Sequence, residues 1–424
     1  MKFSNVLVSG AILSSAASAA STTKSIPSSC TINSSKATAT AQTDLDAFSG
    51  CETLVGDLTI TGDLGNAAIA TVKKIEGSLK VFNATNLNTL AADALEEVTD
   101  SLILQQLTIL YSASFGSLSS VDSIQLVTLP ALQTFTSTLE SASEIIISDT
   151  SLESIEGFSN LQTVSTFNIN NNKYLTEIDS SLKNITTSLI LSSNNKETEA
   201  SFDDLTWANN ITISAVASLS FESLKKVNAS FSVLNNTIDS LDLSKLTTVG
   251  GSLSFEENND LTSLDCKNLT TVGGALVIGN NTDLTNIDGF ANVTTIAGAL
   301  EVIGSFHNLD LSSLKSVKGG ADIETTATNF TCSAIDKLHS NGVIEGDSYQ
   351  CSVPVSSSSS SSSSSSTSAS SSSTHSSTMK TSTTSGASSS SRSLTSHGAA
   401  VGSFENASFV SIFYAIAAVL VSLL

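Results

Sequence analysis

Acid–base chemistry on this chain would have to start from its carboxylates. Asp203-Asp204 and Glu256-Glu257 are the adjacent acidic pairs in exposed positions of the central region. Hydrolysis of a glycosidic bond needs two carboxyl groups at a set separation across that bond. Neighbours on a strand face opposite sides, so an adjacent pair rarely converges on one substrate atom. His307 and His339 are the histidines of the folded body, which leaves little for imidazole chemistry. The Gly-Gly pairs at Gly250, Gly273 and Gly319 have the look of a phosphate cradle, but no Lys-Ser/Thr follows them. They recur at the period of a repeat and read as bends where only glycine fits. The residues therefore predict no catalytic, cofactor-binding or metal site, and the chain reads as a non-enzyme.

Cysteine and asparagine offer covalent chemistry of another kind. Cys30 and Cys51 precede the repeats, Cys332 and Cys351 follow them, and Cys266 stands alone between. No pair has zinc spacing. Four cysteines allow three pairings; locality favours Cys30–Cys51 and Cys332–Cys351 as clamps on the two ends, with Cys266 a quiet buried thiol. Asn-x-Ser/Thr sequons occur at Asn33, Asn83, Asn184, Asn210, Asn228, Asn235, Asn268, Asn280, Asn292 and Asn329, the acceptor sites of a secreted glycoprotein. Asn406 begins another, but in a tail expected to be removed. Tyr174 and Trp207 could each stack on a sugar locally, although Trp207 reads more naturally as packing against a neighbouring coil.

The element that must carry these residues is a repeat. Val249-Gly250-Gly251-Ser252-Leu253-Ser254-Phe255, Val272-Gly273-Gly274-Ala275-Leu276-Val277-Ile278 and Ile296-Ala297-Gly298-Ala299-Leu300-Glu301-Val302 begin 23 and 24 residues apart. Fainter copies begin near Ile75, Val98, Val121, Val164, Ile185, Val227 and Val317. About a dozen coils of 19 to 25 residues follow, a solenoid period. Leu253 and Phe255 alternate with Ser252 and Ser254, Asn258-Asn259-Asp260 turns, and Leu261–Leu264 and Leu269–Val272 read as two further short strands. No helical stripe intervenes, so the pattern predicts an all-β, parallel β-helix rather than a helix-bearing horseshoe. A dozen coils at about 4.8 Å each give a rod of roughly 60 Å. Asn pairs at 171-172, 194-195, 235-236, 258-259 and 280-281 recur at one coil position, suited to left-handed turns and to side-chain ladders along the axis.

The ends have their own logic. Residues 1–19 read as a signal peptide with Ala17-Ser18-Ala19 at the cleavage site. Residues 20–51 read as an N-terminal cap, 52–330 as the solenoid and 331–355 as a C-terminal cap. Residues 356–397 form a Ser/Thr-rich stalk, with eleven consecutive serines from Ser356, too poor in apolar groups to fold and suited to O-glycosylation. Gly398-Ala399-Ala400, an eight-residue spacer and the apolar run from Phe409 have the form of a GPI-attachment signal. Gly398 is then the attachment residue, with Ser396 or Gly402 as alternatives, and 399–424 the propeptide. With 39 acidic against 18 basic residues, the chain offers no clustered cations for nucleic acid.

Signal segment, early Cys pair, V-G-G-[SA]-L-x-[IF] strands, late Cys pair, Ser-rich stalk and GPI tail together resemble the fungal extracellular-mutant and sporulation-wall family of GPI-anchored proteins. The match is weakest between residues 98 and 150, where Gly-Gly is missing. The resemblance implies repeats similar to the receptor L domain, a right-handed β-helix of leucine-rich-repeat kin. It implies a place on the outer face of the plasma membrane and in the wall, a part in mannoprotein-layer or spore-wall assembly, wall glucan or mannoprotein as partner, membrane contact through the lipid only, and neither cofactor nor small-molecule substrate. A receptor-like binding module and a polysaccharide-acting enzyme are the alternatives to weigh.

Overall fold

The computed structural model describes residues 26–33 and 37–354. The predicted signal peptide, the 356–397 stalk, Gly398 and the 399–424 propeptide lie outside the described residues.

Leucine, isoleucine, valine and phenylalanine at every second strand position turn inward and are fully buried, and this alternation winds the chain into a parallel β-solenoid. One column runs Leu54, Ile75, Val98, Val121, Ala142, Val164, Ile185, Ala208, Val227, Val249, Val272, Ile296 and Val317, one residue per coil, for about 13 turns. A single coil cannot bury its own apolar side; stacking does so. Phenylalanine rings continue the core along the axis, from Phe167 through Phe202, Phe221, Phe231 and Phe255 to Phe290, with successive centroids 5.7 to 6.4 Å apart.

All strand pairings in the large sheet are parallel; Leu253-Ser254-Phe255-Glu256, for example, lies in register on Leu276-Val277-Ile278-Gly279. Where Gly-Gly or its equivalent interrupts a coil, two short strands form, as in Thr248–Val249 and Leu253–Glu256. Where it is missing the strand runs on, as in Glu97–Gln105, Ser120–Leu129 and Asn184–Ser192, and takes up the bend as register shifts between Val121 and Ser123 and between Val164 and Thr166. The faint repeats between 98 and 150 are thus full coils with a different corner.

Glycine at that corner answers to a close approach between coils. A Cβ on Gly273 would lie 2.1 Å from the carbonyl oxygen of Gly250, and one on Gly250 would lie 2.0 Å from that of Asn228. Neither obstacle is a movable side chain.

Both ends are closed. Helix Gln42–Asp46 sits over the first coil, its start held by the Asp44 carboxylate, which accepts from the backbone N–H groups of Thr40 and Ala41 at 2.8 and 3.0 Å. Cys30 and Cys51 are bonded there at 2.01 Å. At the other end helix Ser333–Ser340 and strand Tyr349–Ser352 follow the last coil, with Cys332 and Cys351 bonded at 2.03 Å. Both caps add strands to the main sheet, Thr38–Ala39 on Leu58–Ile60 and Tyr349–Ser352 on Ala321–Thr325, and so cover those strand edges of the first and last coils.

Candidate functional site

The carboxylate pairs do not assemble into a reacting centre. Asp203 is occupied structurally: it accepts from the hydroxyls of Ser201 and Ser220 and from the Glu222 N–H. Burial raises its pKa, but these three donors outweigh it and hold the carboxyl below its ordinary range. Asp204 is exposed. Glu256 points outward from its strand, whereas Glu257 occupies the next corner in left-handed geometry, φ 58°. His307 is exposed, and His339 stacks on Tyr349 with centroids 4.1 Å apart. Among the described residues no group of three His, Cys, Asp or Glu could hold a metal ion. Cys266 is fully buried; desolvation first, then the charges of Asp265 and Asp242, push its thiol far up. Trp207 is half-buried in its strand beside Asn184 and Lys226, and Tyr174 is exposed at a corner.

The asparagine corner divides its labour between two neighbouring positions. The first is left-handed in ten successive coils: Asn83, Gln106, Thr128, Asp149, Asn171, Ser193, Ala215, Asn235, Glu257 and Asn280, all with φ between 53° and 59°. The second is buried and forms the ladder. Asn236 Nδ2 donates to Asn258 Oδ1 at 2.9 Å, and Asn258 Nδ2 to Asn281 Oδ1 at 3.1 Å. Asn258 Nδ2 also reaches the Val233 carbonyl, and Asn281 Nδ2 the Phe255 carbonyl. Asn172 and Asn194 form a second stretch, separated from the first by Val216. In 171-172, 235-236 and 280-281 the second residue is the rung; in 194-195 and 258-259 it is the first. The pairs mark the corner in sequence, but only the burial pattern distinguishes rung from turn.

Sequons fall at corners and coil flanks. Asn83, Asn235 and Asn280 are exposed at the left-handed corner. Asn268 and Asn292 occupy another corner on consecutive coils, where their Nδ2 atoms donate to the carbonyls of Ser244 and Lys267. They border a groove of about 400 Å³ that Lys267, Ser313 and Lys315 also line. Asn228 is exposed and donates to Asn209 Oδ1. Asn184 and Asn210 are half-buried, with Asn210 Oδ1 accepting from the Ser230 N–H. Asn33 and Asn329 are exposed near the two caps.

Between these sequons lies a surface that sequence reading missed. The outward residues of the long strands form two columns. One runs Lys80, Ile103, Gln125, Ile146, Asn168, Ile190, Thr212, Ser232, Ser254, Val277, Glu301, Asp322. Beside it run Phe82, Gln105, Val127, Ser148, Asn170 and Ser192, with Ser214, Leu234 and Glu256 on later coils. From Ile103 to Val277 the first column carries no charge, on a chain of formal charge -21. Neither column contains a sequon asparagine; Thr212 completes the Asn210 sequon, whose asparagine stands two residues earlier along the chain. At the C-terminal coils the same face turns acidic, with Glu256, Glu301, Asp322 and Glu324. Burial first, then Glu256, Asp322 and Glu324, raises the Glu301 pKa, and burial with Glu324 raises that of Asp322. Asp322 Oδ1 is buried without a hydrogen-bond partner among the described residues.

Comparison with known proteins bears on what such a surface serves. No family model matches the chain. Over 318 residues it is 52% identical to cell wall mannoprotein PST1 of Saccharomyces cerevisiae, spanning 75% of this chain and 72% of that protein. Over 328 residues it is 38% identical to cell surface GPI-anchored protein ECM33 of Candida albicans, spanning 76% and 79%. Over 312 residues it is 30% identical to sporulation-specific protein 2 of Saccharomyces cerevisiae, spanning 72% and 62%.

Proposed function

The chain belongs to the fungal family of cell-wall and GPI-anchored cell-surface proteins that includes these relatives, and from that membership we propose that it is a non-catalytic organiser of the wall. The cell wall and the outer face of the plasma membrane are its place of work. The observation that carries the reading is a long, capped solenoid in which the candidate acid Asp203 is locked into the fold's own hydrogen bonds, and which presents an extended uncharged column of side chains. A surface of that kind holds partners along its length; it does not enclose a substrate.

In this reading residues 1–19 are removed on secretion, and Gly398 carries the lipid after loss of 399–424. The 356–397 stalk, O-glycosylated, sets the solenoid off from the membrane. The sequons, led by exposed Asn83, Asn235 and Asn280, carry N-glycans. Wall glucan or mannoprotein is the partner, and the outcome is assembly of the mannoprotein layer or of the spore wall.

Deletion of the gene tests the role. The expected result is heightened sensitivity to wall-perturbing dyes and a disordered outer mannoprotein layer by electron microscopy. A deletion strain unchanged in both would remove the proposal. Fractionation with a GPI-cleaving phospholipase, then glucanase, tests the anchor: release by one or the other is expected, and extraction by neither enzyme would contradict it.

A further inference from the structure

The uncharged sheet face has a period of its own. Along its central column Ile103, Ile146 and Ile190 alternate with Gln125, Asn168 and Thr212, one residue per coil. Coils are about 4.8 Å apart, so the aliphatic residues recur at about 9.6 Å along the axis, with an amide or hydroxyl midway. All six side chains are half-buried and reach the surface. The adjacent column adds Val127, Ser148, Asn170 and Ser192 on the same coils. Part of this polarity is internally committed: Ser148 Oγ donates to Asn170 Oδ1 at 2.7 Å, and Asn170 Nδ2 to Asn168 Oδ1 at 2.9 Å. Such bonds fix the amides in place before any partner arrives. Glu144, beside the columns, is bound by Ser123 Oγ at 2.9 Å.

We propose that this face binds a flat, uncharged, β-1,4-linked polysaccharide ribbon of the chitin type, laid along the solenoid axis across the strands. In such a ribbon successive sugars turn over, so each ring face recurs at every second sugar. Ring faces are C–H surfaces and ring edges carry hydroxyl or amide groups. A two-coil alternation of aliphatic and amide side chains is complementary to that order on the scale of a disaccharide. The absence of charge from the column itself fits a neutral polymer, because a charged track would have to shed its hydration to accept one; the carboxylate beside Ile146, that of Glu144, is taken up by Ser123. The sequon asparagines lie to the sides of the column: Asn83, Asn235 and Asn280 at the corner on one flank, and Asn210, half-buried with its Oδ1 taken by the Ser230 N–H, on the other beside Thr212. Fixed side chains on a rigid sheet also reduce the ordering cost of binding. The inference rests on the wall location and goes beyond the organising role by adding, beside glucan or mannoprotein, a further wall polymer and its track.

The test is co-sedimentation of the secreted, glycosylated chain with insoluble chitin, β-1,3-glucan and mannan. Ile146→Lys/Ile190→Lys places two hydrated charges on the track; Ile146→Thr/Ile190→Thr keeps strand-compatible side chains; Tyr174→Lys alters an exposed corner as control. The expected result is retention on chitin, weakened at least tenfold by the lysine pair, partly by the threonine pair, and not by Tyr174→Lys, with melting temperatures shared by the threonine pair and the unaltered protein. No retention on chitin, retention on glucan or mannan alone, or equal retention of the lysine pair would overturn the inference. So would sedimentation velocity showing that the face pairs two copies of the chain. These outcomes leave the deletion phenotype untouched, so failure here and failure of the organising role are separable.

Discussion

Asn258 shows how much one side chain does in a stack of thin coils. Its Oδ1 accepts from the Asn236 backbone N–H and from Asn236 Nδ2, while its own Nδ2 serves the Val233 carbonyl and Asn281 Oδ1. Asn258→Ala strands several buried polar groups at once, each costing about 1–3 kcal/mol. A loss of roughly 3 kcal/mol or more is expected, read from the urea midpoint, together with faster amide exchange at Asn236. The left-handed corner gives the opposite sign. Thr128 is β-branched at φ 56°, a geometry that costs an L-residue roughly 1–2 kcal/mol. Thr128→Gly is expected to raise the melting temperature, with the gain trimmed by the greater freedom of glycine in the unfolded chain. Cys266, buried and with its thiol pushed up, is expected to resist iodoacetamide in the native protein and to react within minutes in denaturant; rapid native labelling would place it at the surface instead.

Coils were legible wherever their corners were made of unusual residues. Gly250-Gly251 and Gly273-Gly274 announced the period, and the alternation of Leu253 and Phe255 gave the strand and its inward side. Between 98 and 150 the corner is an ordinary bulged strand, which any residue can form, so the repeat faded there although the coils did not. The outward face escaped notice for a related reason. Ile103, Ile146 and Ile190 are some 43 or 44 residues apart in sequence and become neighbours only when the register is known. The glycine corner makes its own prediction. Gly273→Ala drives a Cβ against the Gly250 carbonyl oxygen, whereas one on Gly279 meets only Glu256 Cγ at 3.5 Å. Gly273→Ala is expected to lower the melting temperature by several degrees or to block secretion, and Gly279→Ala to leave both nearly unchanged.

The whole molecule carries its acidity unevenly. Depressed carboxyls such as Asp44 and Asp93 stabilise the fold above their unfolded-state pKa values and lose that contribution as pH falls through the folded values; at Asp44 the donors are the Thr40 and Ala41 amides, and at Asp93 the Ser114 hydroxyl leads, followed by the Gly116 amide. Glu301 and Asp322 act in reverse. Their folded pKa values are raised, so the charged forms weaken the fold at neutral pH, and stability returns as pH falls through the folded values toward the unfolded ones. Glu301→Gln is therefore expected to raise the melting temperature at pH 7 and to lose that advantage near pH 4. Comparing variant and parent at each pH cancels the common loss from the other acids; an advantage that persisted at pH 4 would show that burial of the Glu301 charge and its repulsion by Glu256, Asp322 and Glu324 are not its source.

The bond between Cys332 and Cys351 also has a mechanical meaning. The last described residues leave directly from the strand Tyr349–Ser352, so a pull on the chain beyond residue 354 would enter the fold at its terminal strand, where peeling is easiest. The disulfide spans 19 positions and routes tension from residue 351 to residue 332. The helix and turn between them are spared, and their contour length cannot be paid out. Yielding must then begin one coil deeper, where Phe306 and Phe330 and the register of Leu300–Gly304 against Ala321–Thr325 resist it together.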